Sequence, residues 1–362
     1  MIIDRYIHRE IIKPTVTICS VLVFVFGCYM SARYLADAVS GQLPGSIVFI
    51  LILLRITVAL EVLLPMTLYL SVIIALGRLY KDSEMTALSA CGVSGLRVLR
   101  PVFFLSVVIA VLVAGLSLYI RPWAYHQFFL MREKARSNFD LTRVKGGNFY
   151  AVDNGNRVIF ADHVDLQQNR AKRVFIQTED EDTLQIIFAR HARQLDEKIS
   201  GKKILVFTDG YLYEFSHSGQ QSRIVQFDQS AMPLEPVENV KLKSRVKVIS
   251  TAELARSNSL EEIAELQWRL SMPVSTILLA LLAVPLSRSS PRRGKYAKVV
   301  TAVLFFALYY NLGAIAKKWV EKAVVNPVPG LWWVHILLAG LLLIILWQPA
   351  MLTRWRRRLK FT

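Results

Sequence analysis

Six stretches of the chain are predominantly apolar over about the length of a bilayer crossing: roughly residues 14–33, 47–77, 101–120, 270–287, 299–316 and 331–349. A hydrocarbon core about 30 Å thick takes about 20 residues at helical rise, and no water is available inside it for exposed backbone groups, so each stretch is confined to a helix. The apolar residues, 54% of 362, stand in blocks instead of at helical spacing, which is the pattern of a membrane protein and not of a soluble core. The second stretch is overlong and carries Arg55, Glu61 and Pro65. It predicts an interfacial start, a spanning part from about residue 56 and a kink near Pro65. The first stretch follows Arg5, Arg9 and Lys13 and precedes Ala36-Asp37-Ala38, a signal-peptide-like setting. Its apolar core of about 19 residues exceeds the usual 7–15, so an uncleaved helix is expected.

Lysine and arginine in the short connections set the orientation. Segments 1–13, 77–100, 287–298 and 350–362 hold 17 of them, whereas 33–46 and 317–330 hold 4. Both termini are therefore expected in the cytoplasm. The formal charge of +17 then reads as a topology signal and an attraction to anionic headgroups, with no nucleic-acid partner.

With both ends inside and six spans, residues 122–266 belong on the far side. Charged and turn residues return there, and short runs rich in Val, Ile, Phe and Tyr alternate with polar positions. FYAVDNGNRVIFADHVD predicts a hairpin around Asp153–Asn156, and KKILVFTDGYLYEF predicts another around Asp209-Gly210. TLQIIFARHARQLD and SRIVQFDQ supply further strands, which together indicate an antiparallel sandwich, jelly roll or open barrel. AYHQFFLMREKARSNFD continues the third span as a helix, and Ser259 with Glu262 matches a capping box leading into the fourth span. The expected fold class is an α+β membrane protein: six transmembrane helices with a β-domain on the far side of the membrane, inserted between helices 3 and 4. Its parts are residues 1–121, 122–266 and 267–362. The three cysteines, Cys19, Cys28 and Cys91, form neither a disulfide framework nor a metal-ligand spacing.

No phosphate loop, H-E-x-x-H or G-x-S-x-G occurs, and the six histidines are scattered, so no catalytic residue or metal site is assigned and any nucleotide chemistry belongs to another chain. One short polar stretch stands out: LGRLYKDSEMTALSACGVS, between the second and third spans. Asp82 or Ser83 can cap a helix of about residues 82–92, Glu84 sits in its first turn, and Gly92 can end it in a left-handed conformation. Met85 and Leu88 with Ala87, Ala90 and Cys91 give it a face of mixed large and small residues suited to close approach by another surface. Arg78, Lys81, Arg97 and Arg100 flank it at headgroup level.

That stretch, with MIIDRYIHREI at the N-terminus and ELQWRLSMPVSTILLALLAVPLSRSSPRRGK at the fourth span, resembles the LptF/LptG family of lipopolysaccharide export permeases, with the last segment closer to the LptF branch. The resemblance covers the whole chain. It implies a half-transporter in the Gram-negative inner membrane, paired with an LptG-like permease and driven by an LptB-like ATPase dimer that holds the ATP and magnesium. This chain would carry no cofactor. The loop helix would dock into the ATPase through Asp82, Ser83, Glu84, Met85, Ala87 and Leu88, with Glu84 central. The β-domain would be periplasmic and jellyroll-like, and would pass lipopolysaccharide to LptC- and LptA-like jellyroll proteins.

Physical chemistry gives such a machine its parts. Each methylene exposed to water forfeits about 0.8 kcal/mol, so a dozen forfeit roughly 10 kcal/mol, and release of the lipid into water is excluded. An anionic headgroup asks for cations at the rim of the cavity. Arg33, Lys317 and Lys318, at the ends of the first and fifth spans, are the candidates, with Lys322 and Arg55 behind them. Glu61 and Arg55, six apart, lie on different helix faces and are poorly placed to pair. Two other readings stay open at this point. One is a lipoprotein-releasing type of permease, although such proteins place their large domain after the first span. The other is a non-transport envelope scaffold.

Overall fold

The structure, a computed structural model, describes residues 2–39, 43–137, 147–152, 157–165, 170–179, 183–196, 203–216, 222–233, 246–288 and 297–358. The turn 153–156, the basic loop 289–296 and the end of the C-terminal tail lie outside the described residues. The helices before the sheet are α1 (Ile2–Val39), α2 (Gly45–Lys81), α3 (Glu84–Ala90), α4 (Leu99–Gly115) and α5 (Arg121–Ser137). Those after it are α6 (Thr251–Leu254), α7 (Leu260–Leu286), α8 (Ala297–Glu321) and α9 (Trp332–Arg358). Five described spans are long and apolar enough to cross a membrane, α4 and α5 forming one of them, and a shorter apolar stretch, Trp332–Trp347, opens α9. The protein is a multi-pass membrane protein.

The chain divides into two compact units. One comprises Met1–Cys28, Leu53–His126 and Lys243–Thr362; the other comprises Tyr29–Ile52 and Gln127–Leu242. In the first, α7 is the central helix and packs on α4, α8 and α9. Its small residues Ala280 and Ala283 and the fully buried Leu279 and Leu282 let neighbours approach closely, as membrane helix contacts require. α2 is helical from Gly45 to Lys81, with Pro65 inside the helix. The third span does continue as helix, through α5 to Ser137. Between α4 and α5, residues Leu116–Ile120 form a π-turn that keeps the helix unbroken while shifting its register by one residue.

In the second unit six strands form one antiparallel sheet in the order β1-β2-β3-β4-β5-β6. They are β1 (Asn148–Val152), β2 (Arg157–Asp165), β3 (Arg170–Glu179), β4 (Thr183–Asp196), β5 (Lys203–Ser216) and β6 (Ser222–Pro233). The first expected hairpin is present, with Val152 opposite Arg157. The second is not. β5 runs straight through Asp209-Gly210, because β4 and β6 pair with it on both sides of that dipeptide and a chain reversal there would strand both partners.

Asp209-Gly210 instead belongs to a crease across the sheet. The ladders lapse at one common register, that of Asp162, Arg173, Arg190, Asp209 and Asp228. At this line the inward alternation shifts by one. Lys172 and Arg173 are both exposed between buried Ala171 and Val174, and Arg190 and His191 are both exposed between buried Ala189 and Ala192. Arg173 and Asp209 adopt left-handed φ values of 51° and 59° to make the bend. On the inner side, Ala161, Ala171, Ala189 and Ala192 leave room for the two halves to close over Ile159, Val174, Ile176, Leu205 and Phe207. Gly210 has no space for a β-carbon between the Phe188 carbonyl and the Phe227 ring. On the outer side, Arg173 pairs with Asp162 and Arg190 with Asp209. Phe149, Phe160, Phe175, Phe188 and Tyr211 also stand at one register on the outer face. Phe149 is 69% exposed and Phe188 44%, an apolar row of the kind that meets another surface.

Candidate functional site

The loop helix forms where the sequence placed it but is shorter, Glu84–Ala90. Ser83 occupies its N-cap position with a left-handed φ of 60°, and its side chain makes no capping hydrogen bond. The side-chain cap expected from Asp82 or Ser83 is therefore replaced by a backbone turn, in which Thr86 and Ala87 N–H groups donate to the Ser83 carbonyl. Gly92, at φ 84°, closes the far end as expected. The capping box at Ser259 also lacks its side-chain bond.

Of the predicted docking residues, Met85 is the anchor. It is 5% exposed and packs in the core of the bundle unit, with Leu88 half-buried beside it. Asp82, Ser83 and Ala87 are exposed and Glu84 is half-buried. The Tyr6 hydroxyl donates to Glu84 Oε2 at 2.6 Å. Four residues along the same face of α1, Glu10 pairs with Arg78 at the end of α2. Ile7 and Ile11 are buried behind them, and His8 Nε2 bonds the Pro101 carbonyl at 2.8 Å. The N-terminal turns of α1 are thus tied to α2, α3 and α4 by polar contacts over an apolar seam.

A second constellation is buried within the bundle. Glu61 of α2 accepts from Arg121 Nη1 at 2.8 and 2.9 Å and from the Ser117 hydroxyl at 2.9 Å. Arg121 Nη2 reaches Glu265 Oε1 at 3.0 Å, Arg269 Nε reaches the same oxygen at 3.3 Å, and Lys317 binds Glu265 Oε2. Arg269, fully buried, also donates to the carbonyls of Ile249 and Lys247 at 3.0 and 3.2 Å and to the Thr251 hydroxyl at 3.0 Å. Buried charges in an apolar bundle persist only when paired and hydrogen-bonded, and these pair with one another across α2, α5, α7 and α8, with Arg121 Nε left without a hydrogen bond among the described residues. Ser117 lies within the π-turn and Arg121 directly after it, and both are buried. Lys247, Arg55 and Arg121 all lie over the Tyr125 ring, at 5.3, 5.7 and 5.9 Å.

Nothing in the spacing of Glu61, Arg121 and Lys317 announced this cluster. The usable signal was chemical: Glu61 sits too deep in an apolar run to lack a cation, and Arg269 follows Glu265 by four residues. Glu61 meets its cation 60 residues further on, at Arg121. A third polar group lies nearby in α7: the Ser275 hydroxyl meets Tyr309 Oη at 2.7 Å and His335 Nε2 at 3.1 Å beside a small cavity lined by Trp268, Met272 and Phe306.

The candidate headgroup cations fall into two kinds. Arg33, Lys318 and Lys322 are exposed. Lys317 is committed inward: it binds Glu265, lies 3.7 Å from Glu321 and sits 5.5 Å from the Trp268 ring.

A bundle of apolar spans interrupted after the third by a creased antiparallel sheet defines an α+β membrane protein with an inserted β-domain. The sequence model of the family "Lipopolysaccharide export system permease LptF/LptG" matches residues 5–348, and the chain belongs to this family. It is 27% identical over 370 residues to the lipopolysaccharide export system permease protein LptF of Escherichia coli K12, covering 98% of both chains. The same identity and coverage hold for the LptF proteins of E. coli O157:H7 and Shigella flexneri.

Proposed function

We propose that this chain is the LptF-like half of an ATP-driven exporter that draws lipopolysaccharide sideways out of the inner membrane and hands it to a periplasmic bridge. Both termini and α3 face the cytoplasm, and the sheet lies in the periplasm. An LptG-like permease completes the lipid cavity, an LptB-like ATPase dimer binds ATP and magnesium, and LptC- and LptA-like proteins continue the sheet outward. The observation that carries this reading is the family match across residues 5–348, which spans the membrane helices and the sheet together.

The geometry supplies a reason for each part. α3 is held by Met85 and by the α1 brace, so a push on its exposed face moves helices and not a loose loop. Asp82, Ser83, Glu84 and Ala87 offer that face to the ATPase. β1 and β6 each have an edge with no partner among the described strands, where a further jellyroll sheet adds by strand pairing. The outer aromatic row gives the same partner apolar surface. Arg33 and Lys318 are free of the buried cluster and meet headgroup phosphates. Lys317 does so only if it leaves Glu265, which makes it the lesser contact.

The test is Glu84→Gln in the complex reconstituted in proteoliposomes with its partner permease and ATPase. The reading expects reduced ATPase retention and slower ATP-dependent transfer of lipopolysaccharide to a soluble jellyroll acceptor. Unchanged retention and transfer would remove α3 from the docking role.

A further inference from the structure

The N-terminal segment MIIDRYIHREI marks the family, yet the docking reading gives it no task. The structure assigns one: we infer that Tyr6 is the positioning residue for the Glu84 carboxylate, and that the first turns of α1 form the cradle holding α3 in its docking pose. This inference rests on the docking reading and extends it to a residue outside the loop.

Three observations carry it. Ser83 gives α3 no side-chain cap, and the helix is only seven residues long, so α3 cannot hold its own orientation. Its fixed points come from elsewhere: Met85 in the core, and the Tyr6 hydroxyl on Glu84 Oε2 at 2.6 Å. A phenol O–H on an ionised carboxylate is a short, charge-assisted bond, and it directs one oxygen toward α1. Glu84 Oε1 has no hydrogen bond among the described residues and is left for a cationic group on a partner. Finally, α1 itself cannot slide at this end. Glu10 holds Arg78, His8 holds the Pro101 carbonyl, and Ile7 and Ile11 are 1% and 0% exposed. Tyr6 is 37% exposed and contributes little to that packing, so its hydroxyl is separable from the fold.

The experiment is a double-mutant cycle in the full complex of both permease chains and the ATPase, purified in detergent. Tyr6→Phe keeps the ring and removes only the donor. ATPase dissociation from immobilised complex is read for the parent, Tyr6→Phe, Glu84→Gln and the double variant, with the melting midpoint of each as a fold control. Tyr6→Phe is expected to weaken retention about threefold to tenfold with an unchanged midpoint. The double variant is expected to be no weaker than Glu84→Gln alone. If Tyr6→Phe is silent while Glu84→Gln weakens retention, the positioning role is wrong and docking stands. If Tyr6→Phe weakens retention equally in the Glu84→Gln background, Tyr6 acts independently of Glu84 and the inference is overturned. If Glu84→Gln changes nothing, the docking reading fails and the inference with it.

Discussion

Glu265→Gln probes the buried cluster most directly. The parent arrangement sets three carboxylates, Glu61, Glu265 and the half-buried Glu321, against three cations, Arg121, Arg269 and Lys317, so the charges balance. The substitution preserves shape, creates one excess positive charge, and leaves Arg121 with Glu61 alone and Lys317 with Glu321 at 3.7 Å. Arg269 keeps only its carbonyl and hydroxyl partners. Breaking a buried pair on one side costs about 3–5 kcal/mol, because the remaining charges are already desolvated. At about 2 °C per kcal/mol for a chain of this size, the melting midpoint should fall by about 6–10 °C. The assay is thermal unfolding of the detergent-solubilised chain followed by size exclusion, at one fixed heating rate because such unfolding is irreversible. Adding Lys317→Met to Glu265→Gln removes the cation left with only the longer contact to Glu321 and should recover at least half of the loss. A midpoint within about 2 °C of the parent for the single variant, or a further drop in the double, refutes the view that these charges are mutually required.

Two further outcomes follow from packing. Gly210→Val drives side-chain atoms into the Phe188 carbonyl and the Phe227 ring at the crease, so the full-length variant should be cleaved in the sheet by trypsin at least about tenfold faster than the parent, as read by fragment mass. Equal cleavage rates would show that the crease tolerates a branched side chain. Ser275→Ala takes a hydrogen-bond partner from both Tyr309 and His335 in a buried setting and should cost about 1–3 kcal/mol in the same unfolding assay, with part of it regained when Tyr309→Phe is added.

Long apolar runs, the return of charge at residue 122 and the alternating strands were enough to read a bundle of membrane helices interrupted by an antiparallel sheet, because hydrocarbon thickness and strand pleat leave few other solutions. The short helix at Glu84 was legible for the same reason: a polar, capped-looking segment between two spans has nowhere else to lie. Local pattern misled at Asp209-Gly210, where turn-forming residues serve a left-handed bend inside a continuous strand. Turn chemistry specifies a backbone conformation, and only the neighbouring strands β4 and β6 decide whether that conformation reverses the chain. The caps at Ser83 and Ser259 failed likewise, since a side-chain oxygen competes with backbone alternatives that the surrounding packing selects.

The amino-acid order by itself thus determined what each segment must be buried in, water or hydrocarbon, since transfer free energy is a local and additive property. Tertiary structure alone decided which charge meets which: Arg121 with Glu61 across 60 residues, Lys317 with Glu265 across 52, Tyr6 with Glu84 across 78. Electrostatic partners are set by distance in space, and in a bundle that distance depends on how several helices rotate against one another.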